Sequence, residues 1–579
     1  MSRSRIAHAL VVLLLGQGCH LTYATFDHGE DAGPDAGADG AIERTDAAND
    51  SGPDTGDSGV LDAGPAPVAP HLTHPWLGFH TQRPPLLQWE AVDGASAYEV
   101  ELTHGCSASA RLSCGFDPGL TSSNETSETS WIPAGGLLQL NMSAPRARTY
   151  VWRVRACSSD TRCSEWSTPR YFVFGTRTDM NGDGLADVVV GDRASDSAHV
   201  FLGGTTATPW LISGISSENA GFGGSIATLG DTNGDGYSDF LIGAANEDYG
   251  GQIDPGRAYL LFGGPTVPTG ASETLSLPTP VNFTVFGRCV AAIGDVNGDG
   301  YADLAVGADT VDGGTRPGAT YVYYGGATGI TGPTVLRSPD PANQTGFGTS
   351  ILGIGDIDGD GFADIAVGGP YARIGGERIG KVWLYAGGNE GIQTTPVTEI
   401  SPPMGTVGVD GNFGGSLALA LRPHRLFVGA NRASSDASPS ESGAVFVFDL
   451  AGDLSLVANI SAEPPTTSER FGSALAGAGD VNADGQDDLL IGVPRARAEL
   501  ALLNSTGGVS DRWATSWPGG ESDAVAGVGD VDLDGFDDVA LGDSSMDHVI
   551  LYRGATARYA EPSRVLPSSG GHAIASQAP

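Results

Sequence analysis

Two hydrophobic patterns divide the chain, and both indicate β-strands. In residues 71–175 apolar and polar positions alternate between turn signals, so that Tyr150, Trp152 and Val154 fall on one face of a strand. The rest of the chain repeats short apolar runs, such as residues 188–191, between glycine-rich turns. Helical periodicity is nearly absent. The pattern therefore predicts an all-β chain.

A nine-residue acidic segment recurs in the C-terminal region, residues 176–579. Each copy has Asp at position one, Asp or Asn at three, Asp at five, Gly at six and Asp at nine. The copies start at residues 179, 231, 295, 356, 480 and 530, at intervals of 52, 64, 61, 124 and 50 residues. The interval of 124 spans two periods and contains Phe413, followed by Arg422 where the carboxylates should stand. The spacing predicts seven repeats, six of them with an acidic loop.

Each repeat has the pattern of four short strands. A Phe-Gly pair opens a strand of small residues, the acidic loop follows, and an apolar strand comes directly after the loop. A third strand ends in an aromatic residue and two glycines, as in residues 259–264, and a weaker fourth strand leads to the next pair. Such units cannot bury both faces alone. They predict the blades of a seven-bladed β-propeller.

The ends of the repeat region predict a closed ring. The first repeat lacks an opening strand, because the preceding domain runs directly into Asp179. Residues 569–576 match the opening strand of the second repeat, residues 223–228. We expect this C-terminal segment to supply the missing strand of the first blade, since closure removes two exposed sheet edges.

These motifs resemble known families. The Phe-Gly opening, the acidic loop and the following strand resemble FG-GAP repeats, the units of the integrin α-chain propeller, over about 400 residues. The order of Trp89, Tyr98, Tyr150 and Trp166 in residues 71–175 resembles a fibronectin type III β-sandwich. The resemblance implies calcium in loops on one face and ligand-binding loops on the opposite face. There is no RGD sequence, so integrin ligand chemistry is not implied.

The acidic loops have the chemistry of calcium sites independently of that resemblance. Four positions offer side-chain oxygens, position seven offers a backbone carbonyl, and Gly at position six permits a sharp turn. Several carboxylates in one loop repel one another unless a cation neutralises them. The predicted ligands are Asp179, Asn181, Asp183, Leu185, Asp187, Asp231, Asn233, Asp235, Tyr237, Asp239, Asp295, Asn297, Asp299, Tyr301, Asp303, Asp356, Asp358, Asp360, Phe362, Asp364, Asp480, Asn482, Asp484, Gln486, Asp488, Asp530, Asp532, Asp534, Phe536 and Asp538.

We expect up to six structural Ca²⁺ ions, and none in the repeat with Arg422. The loops are not EF-hands, because position twelve holds an apolar residue such as Val190 or Ile242 in place of Glu. The alternative is a metal-free turn rich in Asp and Asn.

Composition narrows the partner classes. The 579 residues include 87 Gly, which indicates many tight turns. With 69 acidic residues against 30 basic ones, the net charge is −39. This charge argues against nucleic acid as a partner and favours cation binding.

The N-terminus has the features of an export signal in residues 1–24. A short basic start precedes an apolar run that is too short to span a bilayer as a helix. Cleavage before Cys19 would give a bacterial lipoprotein with lipidated Cys19, although Gly16 stands where a large apolar residue is usual; ordinary cleavage after Ala24 would give a secreted protein. Residues 25–70 are acidic and poor in apolar residues, which predicts a disordered linker.

Four of the six cysteines lie in the domain of residues 71–175. Cys106 and Cys114 flank one predicted hairpin, and Cys157 and Cys163 flank another. In an exported protein each pair can form a disulfide, although other pairings are possible. Cys289 lies in a strand pattern and is expected to be a buried free thiol.

The sequence favours a binding protein over an enzyme. It has no catalytic constellation, and the residue types of a phosphate loop or a nucleophile elbow are absent. We expect a non-catalytic binding or adhesion module at a bacterial outer membrane or cell surface, attached only through a lipid at Cys19, or else secreted. Its partner would be a protein or a glycan. The alternatives are a carbohydrate-active enzyme or its binding subunit, and a purely structural envelope protein.

Long loops after the second strand of several repeats are the expected partner surface. They mix arginines with acidic residues, so they could bind an anionic glycan or an acidic protein, or could simply be solvated. The arginines are Arg193, Arg257, Arg316, Arg373, Arg378, Arg432, Arg495 and Arg497.

Overall fold

The computed structural model describes residues 11–13 and 67–567, apart from gaps at 76, 78, 82–83, 107–113, 135, 142, 146, 160–161, 204–208, 310–316, 341–343, 435–440, 464, 495–496, 516–521, 533, 544–547 and 557–563. None of the described residues lies in a helix, so the prediction of an all-β chain is confirmed. No membrane-spanning helix is found in this part of the chain. The expected cleavage sites, Cys19 and nearly all of the acidic linker lie outside the described residues.

The first nine strands include those of the small domain, which we define as residues 67–175. They are β1 (Val11–Leu13), β2 (Leu72–His74), β3 (Phe79–Thr81), β4 (Leu87–Trp89), β5 (Ala97–His104), β6 (Ser122–Thr126), β7 (Ser130–Trp131), β8 (Arg148–Cys157) and β9 (Arg170–Phe174). The small domain has a three-stranded sheet in the order β2-β4-β7 and a five-stranded sheet in the order β3-β9-β8-β5-β6.

The two sheets of the small domain enclose an aromatic core. Trp89, Tyr98 and Trp152 are buried, and the ring centroids of Trp89 and Tyr98 are 5.5 Å apart. Tyr150 stacks on Phe172 with centroids 5.6 Å apart. The alternating face predicted for β8 therefore points into this core.

Twenty-nine further strands follow in the repeat region, counted over its described residues. They are β10 (Val188–Asp192), β11 (Ser197–Phe201), β12 (Trp210–Ser213), β13 (Phe222–Gly230), β14 (Asp239–Ala244), β15 (Arg257–Leu261), β16 (Glu273–Leu275), β17 (Cys289–Gly294), β18 (Asp303–Ala308), β19 (Ala319–Tyr324), β20 (Thr331–Arg337), β21 (Ser350–Gly355), β22 (Asp364–Gly369), β23 (Arg373–Ile374), β24 (Glu377–Arg378), β25 (Lys381–Tyr385), β26 (Thr398–Ile400), β27 (Phe413–Leu421), β28 (His424–Ala430), β29 (Ala444–Asp449), β30 (Leu456–Ser461), β31 (Ala474–Gly479), β32 (Asp488–Val493), β33 (Arg497–Leu503), β34 (Val509–Thr515), β35 (Ser522–Gly529), β36 (Asp538–Asp543), β37 (His548–Tyr552) and β38 (Arg564–Pro567).

These strands form seven four-stranded antiparallel sheets, numbered here along the chain. The orders are β1-β10-β11-β12, β13-β14-β15-β16, β17-β18-β19-β20, β21-β22-β25-β26, β27-β28-β29-β30, β31-β32-β33-β34 and β35-β36-β37-β38. The short hairpin β23–β24 projects from the fourth sheet between its second and third strands. In all seven sheets the strands pair in chain order, and in six of them all four strands come from one repeat, as the meander predicted for each repeat requires.

Neighbouring sheets share apolar cores. Val189 of the first sheet and Phe240 of the second lie in one buried cluster, and similar clusters join each later pair. Val190 of the first sheet also lies in one buried cluster with Ala524 and Ala526 of the seventh sheet. The first and last repeats are therefore in contact.

The first strand of the first sheet corrects one prediction. Val11–Leu13 pairs antiparallel with β10 in the position that we predicted for residues 569–576, which themselves lie outside the described residues. Without β1 the edge of β10 would be exposed, and a Val-Val-Leu run has a high strand propensity. The pattern that indicated an export signal is therefore also a suitable strand.

The Phe-Gly pairs join adjacent sheets. Phe286 packs on Tyr321 of its own sheet with ring centroids 5.3 Å apart, while its N–H donates to the carbonyl of Pro255 in the preceding sheet at 3.0 Å. The carbonyl of Gly287 then accepts a hydrogen bond from Ser225 Oγ of the preceding sheet at 2.8 Å. The motif thus packs the Phe ring into its own sheet, while the backbone of the Phe-Gly pair forms hydrogen bonds with the preceding sheet.

Candidate metal sites and their contact with the small domain

The six acidic loops share one backbone conformation, set by the carboxylate at position one. Asp179 accepts the N–H of Asp183 at 2.9 Å and that of Gly184 at 2.7 Å. In all six loops the bond from the Gly at position six measures between 2.7 and 3.1 Å. These six glycines have φ between 87° and 101°, a left-handed conformation that favours glycine.

Positions three, five and seven form the remainder of the turn. In the first loop Asn181 Oδ1 accepts the N–H of Asp183 at 3.0 Å, and Asp183 accepts the N–H of Leu185 at 2.9 Å. In every loop the N–H at position seven donates to the carboxylate at position five, at 2.9 to 3.0 Å. The predicted ligands of each loop therefore surround one short turn.

The aspartate at position nine joins the loop to the sheet. Asp364 accepts the N–H of Ile357 at 2.7 Å through one oxygen and that of Gly387, just after the third strand, at 2.8 Å through the other. The same pair of bonds recurs in all six loops, and all six side chains are buried. Sequence reasoning identified this residue as a ligand and missed its role as a backbone link.

Burial makes these carboxylates difficult to ionise without a cation. Burial raises the pKa of Asp187 to about 7, and that of Asp239 and Asp364 to about 8, although backbone hydrogen bonds oppose the shift. At position one, burial raises the pKa of Asp179 to about 6. A bound cation would stabilise the charged forms.

The fourth and sixth loops bring three carboxylates closest together. Oxygens of Asp356, Asp358 and Asp360 lie within 4.8 Å of one another, as do those of Asp530, Asp532 and Asp538. Both loops have Asp at position three, whereas the other four have Asn. Oxygen donors at such spacing suit a hard divalent cation.

The fifth repeat replaces its acidic loop with an arginine. The guanidinium of Arg422 bonds to Asp487 of the next repeat through two nitrogens, at 2.8 and 3.1 Å. The Asp487 N–H also donates to the carbonyl of Arg422 at 2.6 Å. A cationic side chain therefore stands where the other repeats have carboxylates.

The small domain rests on the third and fourth acidic loops. Arg170 Nη2 lies 3.3 Å from Asp356 Oδ2 and donates to the carbonyl of Gly359 at 3.2 Å. The next residue, Tyr171, donates its hydroxyl to Asp295 Oδ2 at 2.5 Å. The N–H of Leu77 donates to the carbonyl of Gly361 at 3.2 Å. Sequence reasoning missed this contact; its only signal was a charged residue at the start of an apolar strand.

Most of the predicted surface arginines that the structure describes have partners within the chain. Arg257 pairs with Glu247 at 3.0 Å, and Arg432 and Arg470 both pair with Glu441. Arg497 pairs with Glu469 and Glu499, and Arg378 pairs with Asp410. Arg316 and Arg495 lie outside the described residues. The anionic-ligand hypothesis for these loops stays a prediction.

The cysteines include one correction. The structure has disulfides Cys106–Cys114 and Cys157–Cys163. The expectation of a free thiol at Cys289 is wrong, because Cys289 is disulfide-bonded. A buried strand position does not exclude a cystine, which is itself largely apolar.

Comparison with known families identifies the repeats. The FG-GAP repeat model matches residues 290–323, 347–385 and 471–510, and the FG-GAP-like repeat model matches residues 179–242. These segments lie in the first four sheets and the sixth, and each includes an acidic loop.

Curated relatives match only part of the chain. Integrin alpha pat-2 of Caenorhabditis elegans is 30% identical over 210 residues, which are 33% of this chain and 17% of the relative. Integrin alpha-PS2 of Drosophila melanogaster is 33% identical over 207 residues, 33% of this chain and 14% of the relative. Phosphatidylinositol-glycan-specific phospholipase D of Bos taurus is 34% identical over 182 residues, 28% of this chain and 20% of the relative.

The chain thus spans a fifth or less of the length of these relatives. Among solved structures, the crystal structure of BBS1N in complex with ARL6DN aligns with a TM-score of 0.37 and 13% identity over 63% of this chain and 86% of that chain, a likeness too weak to carry an argument. The chain carries FG-GAP repeats and in them is similar to integrin α chains.

Proposed function

We propose that this protein is an exported, calcium-stabilised propeller that acts as a non-catalytic binding or adhesion module at the cell surface. The observation that carries the proposal is the sixfold repetition of one loop whose oxygens are held by the same backbone hydrogen bonds. The similarity to integrin α chains over the repeats supports the adhesion-type role.

The donor set fits calcium. Every predicted side-chain ligand is a carboxylate or an amide oxygen, which hard cations prefer, and none is a His or Cys. Ca²⁺ would stabilise the ionised form of buried aspartates such as Asp239, whose pKa burial raises to about 8 in the absence of metal. All ligands of a loop come from nine consecutive residues, so binding would stabilise the folded loop directly.

A structural role for the cation follows from how consecutive loops connect. The N–H of Ser238 in the second loop donates to the carbonyl of Asp179 in the first at 3.1 Å, and that of Ala302 donates to Asp231 at 2.9 Å. A cation that orders one loop would therefore also fix the carbonyl that accepts a hydrogen bond from the next repeat. Calcium would rigidify the ring, leaving the opposite loops to hold a ligand.

We further propose a closed seven-bladed propeller preceded by a fibronectin type III-like sandwich. The seven sheets and the cluster shared by the first and seventh support closure. Cleavage of the export signal would remove β1, so in the mature protein another segment would have to cover the edge of β10. In the small domain the hydroxyl of Tyr150 accepts the N–H of Gln139 at 2.7 Å, the kind of tyrosine corner found in such sandwiches.

Export, anchoring through Cys19 and the identity of the partner rest on the sequence. The integrin relatives support an extracellular setting. A protein or glycan would bind the loops after the second strands. A carbohydrate-active enzyme or binding subunit, and a purely structural envelope protein, are the competing functions.

The test measures calcium and ligand binding on the secreted full chain. We expect equilibrium dialysis with ⁴⁵Ca²⁺ to give up to six bound ions, and the melting temperature to fall in chelator. Asp235→Asn in the second loop should remove or weaken one site, because it deletes a carboxylate that is one of the ligands. Asp93→Asn, at an exposed turn of the small domain, is the matched control and should leave the count unchanged.

Function is then read on immobilised glycan and protein arrays. A ligand bound in calcium and lost in chelator supports the binding module. No bound calcium would refute the metal assignment. Bound calcium with turnover of an arrayed glycan would favour the enzyme, and bound calcium with no ligand or turnover would favour a structural envelope protein.

A further inference from the structure

Charge is distributed unequally among the acidic loops. At the ligand positions one, three, five and nine, the fourth and sixth loops have four carboxylates and the other loops have three, because Asp358 and Asp532 stand where the other loops have Asn. Each of these two loops also contacts an arginine: Arg170 lies 3.3 Å from Asp356, and Arg553 lies 2.9 Å from Asp532. One guanidinium thus balances the extra carboxylate in each loop.

The two arginines differ in origin and in burial. Arg553 follows β37 in the same repeat as its loop, and its side chain is 58% exposed. Arg170 belongs to β9 of the small domain, and its side chain is only 7% exposed against a fully buried Asp356. A buried guanidinium requires a carboxylate partner, because its desolvation is costly. Arg170 therefore needs Asp356 of the fourth loop as its charge partner.

Asp356 is shared between the loop and the small domain. Its Oδ2 accepts the N–H of Gly361 at 2.8 Å and faces Arg170, while its Oδ1 accepts the N–H of Gly359 at 2.6 Å. A divalent cation in this loop would share Asp356 with a guanidinium, and two cations at one carboxylate repel each other. The neighbouring contact, from Tyr171 to Asp295 of the third loop, is uncharged on the small-domain side.

We propose that Arg170 sets the calcium affinity of the fourth loop. The docked small domain lowers the calcium affinity of that loop, and calcium bound in that loop loosens the contact of the small domain. The proposal rests on the proposed function, since it concerns how one of the calcium loops is tuned. Thermodynamic linkage makes the two effects equal, because a domain that weakens calcium binding is itself weakened by calcium to the same degree.

The test follows hydrogen exchange of the full chain by mass spectrometry across a calcium titration. Peptides over residues 356–364 and 530–538 report the two loops separately, because bound calcium protects the turn. Arg170→Gln should lower the calcium midpoint of the fourth loop by roughly tenfold, within the usual range of coupling between sites. Asp358→Asn should raise that midpoint by a similar factor, so calcium should loosen β9 and β2 only at correspondingly higher concentration. This second variant leaves the small domain unaltered and tests the coupling even if Arg170→Gln does not fold.

Arg553→Gln is the matched control. It removes the same charge from the sixth loop, so it should shift the midpoint of that loop and leave the fourth loop and the small domain unchanged. Docking is read from peptides over β9 and β2. In the unaltered protein these should exchange faster once the fourth loop is saturated, and in Arg170→Gln their exchange should not depend on calcium.

The outcomes separate the two proposals. If calcium protects the loops but Arg170→Gln leaves the fourth midpoint unchanged, the coupling is refuted and the calcium function stands. If the midpoint moves while β9 and β2 exchange identically with and without calcium, the competition with docking is refuted. If no loop gains protection in calcium, the proposed function fails, and this inference with it.

Discussion

A close backbone approach between the fourth and fifth sheets yields a sharp prediction, for the substitution Gly368→Ala. Gly368 lies in β22, and a Cβ there would sit less than 3.0 Å from both the carbonyl oxygen of Gly414 in the next sheet and Ser350 Oγ. Real Cβ atoms do not approach that closely. Because the obstacle is a backbone carbonyl, no rotamer change can relieve it, and the fourth and fifth sheets must move apart.

The magnitude follows from what this movement disrupts. Inserting a methyl group into a packed interior costs about 1–3 kcal/mol. The hydrogen bond from Ser350 Oγ to Gly414, 2.7 Å long, also weakens, at a cost of about 1 kcal/mol. The lower entropy of Ala in the unfolded chain returns about 0.4–1 kcal/mol. We expect Gly368→Ala to lower the free energy of unfolding by about 2–3 kcal/mol.

The assay is urea unfolding at saturating calcium, monitored by tryptophan fluorescence. Gly388→Ala is the matched control, because the nearest heavy atom to its added Cβ is 3.9 Å away, and it should change stability by less than about 0.5 kcal/mol. If the midpoint of Gly368→Ala lies as close to that of the unaltered protein as the midpoint of Gly388→Ala does, the argument that a Cβ at position 368 forces the two sheets apart is wrong.

Three further predictions concern charge and the small domain. Arg422→Gln removes the ion pair with Asp487 and should cost about 1 kcal/mol equally in calcium and in chelator, by urea unfolding; a loss seen only in calcium would contradict it. In chelator, the free energy of unfolding should fall as pH rises from about 4 through 8. The reason is that the pKa values of Asp239 and Asp364 are about 8 in the folded state, which therefore holds more protons than the unfolded state in that window. Melting temperatures at pH 5 and 8 test this, and saturating calcium should reduce the fall. Tyr150→Phe should destabilise the small domain by about 1 kcal/mol, seen as faster hydrogen exchange there, with ⁴⁵Ca²⁺ binding unchanged.

Local sequence signals predict most of the repeat region. The run at residues 188–191 lies in β10, and residues 489–492 lie in β32, where the repeat pattern places the second strand. Phe222 and Phe413 open strands and are fully buried. These features are predictable because a strand of alternating or continuous apolar residues, bounded by glycine turns, depends on a few neighbouring residues only.

Contacts between distant segments could not be predicted in the same way. Arg170 meets Asp356 across 186 positions of sequence, and nothing in β9 alone indicates which surface that strand touches. The use of Val11–Leu13 beside β10 escaped prediction because an apolar run of that length satisfies both an export signal and a sheet edge. The position-nine aspartate was assigned one role because its second function, the bond to a residue such as Gly387, needs the third strand in place.

The fifth repeat indicates what a cation contributes to the others. It has no acidic loop, yet the N–H of Asp487 still reaches the carbonyl of Arg422, the link that Ser238 makes to Asp179 elsewhere. Beside this backbone hydrogen bond, the guanidinium of Arg422 bonds to Asp487 at the position where the other repeats have carboxylates. Because the arginine side chain occurs here with the same backbone hydrogen bond, a cation in the other loops would be needed for its positive charge and for fixing the loop geometry rather than for a reaction. This argument favours a structural cation, and it is the reason to expect that a second arginine, Arg170, can compete with one.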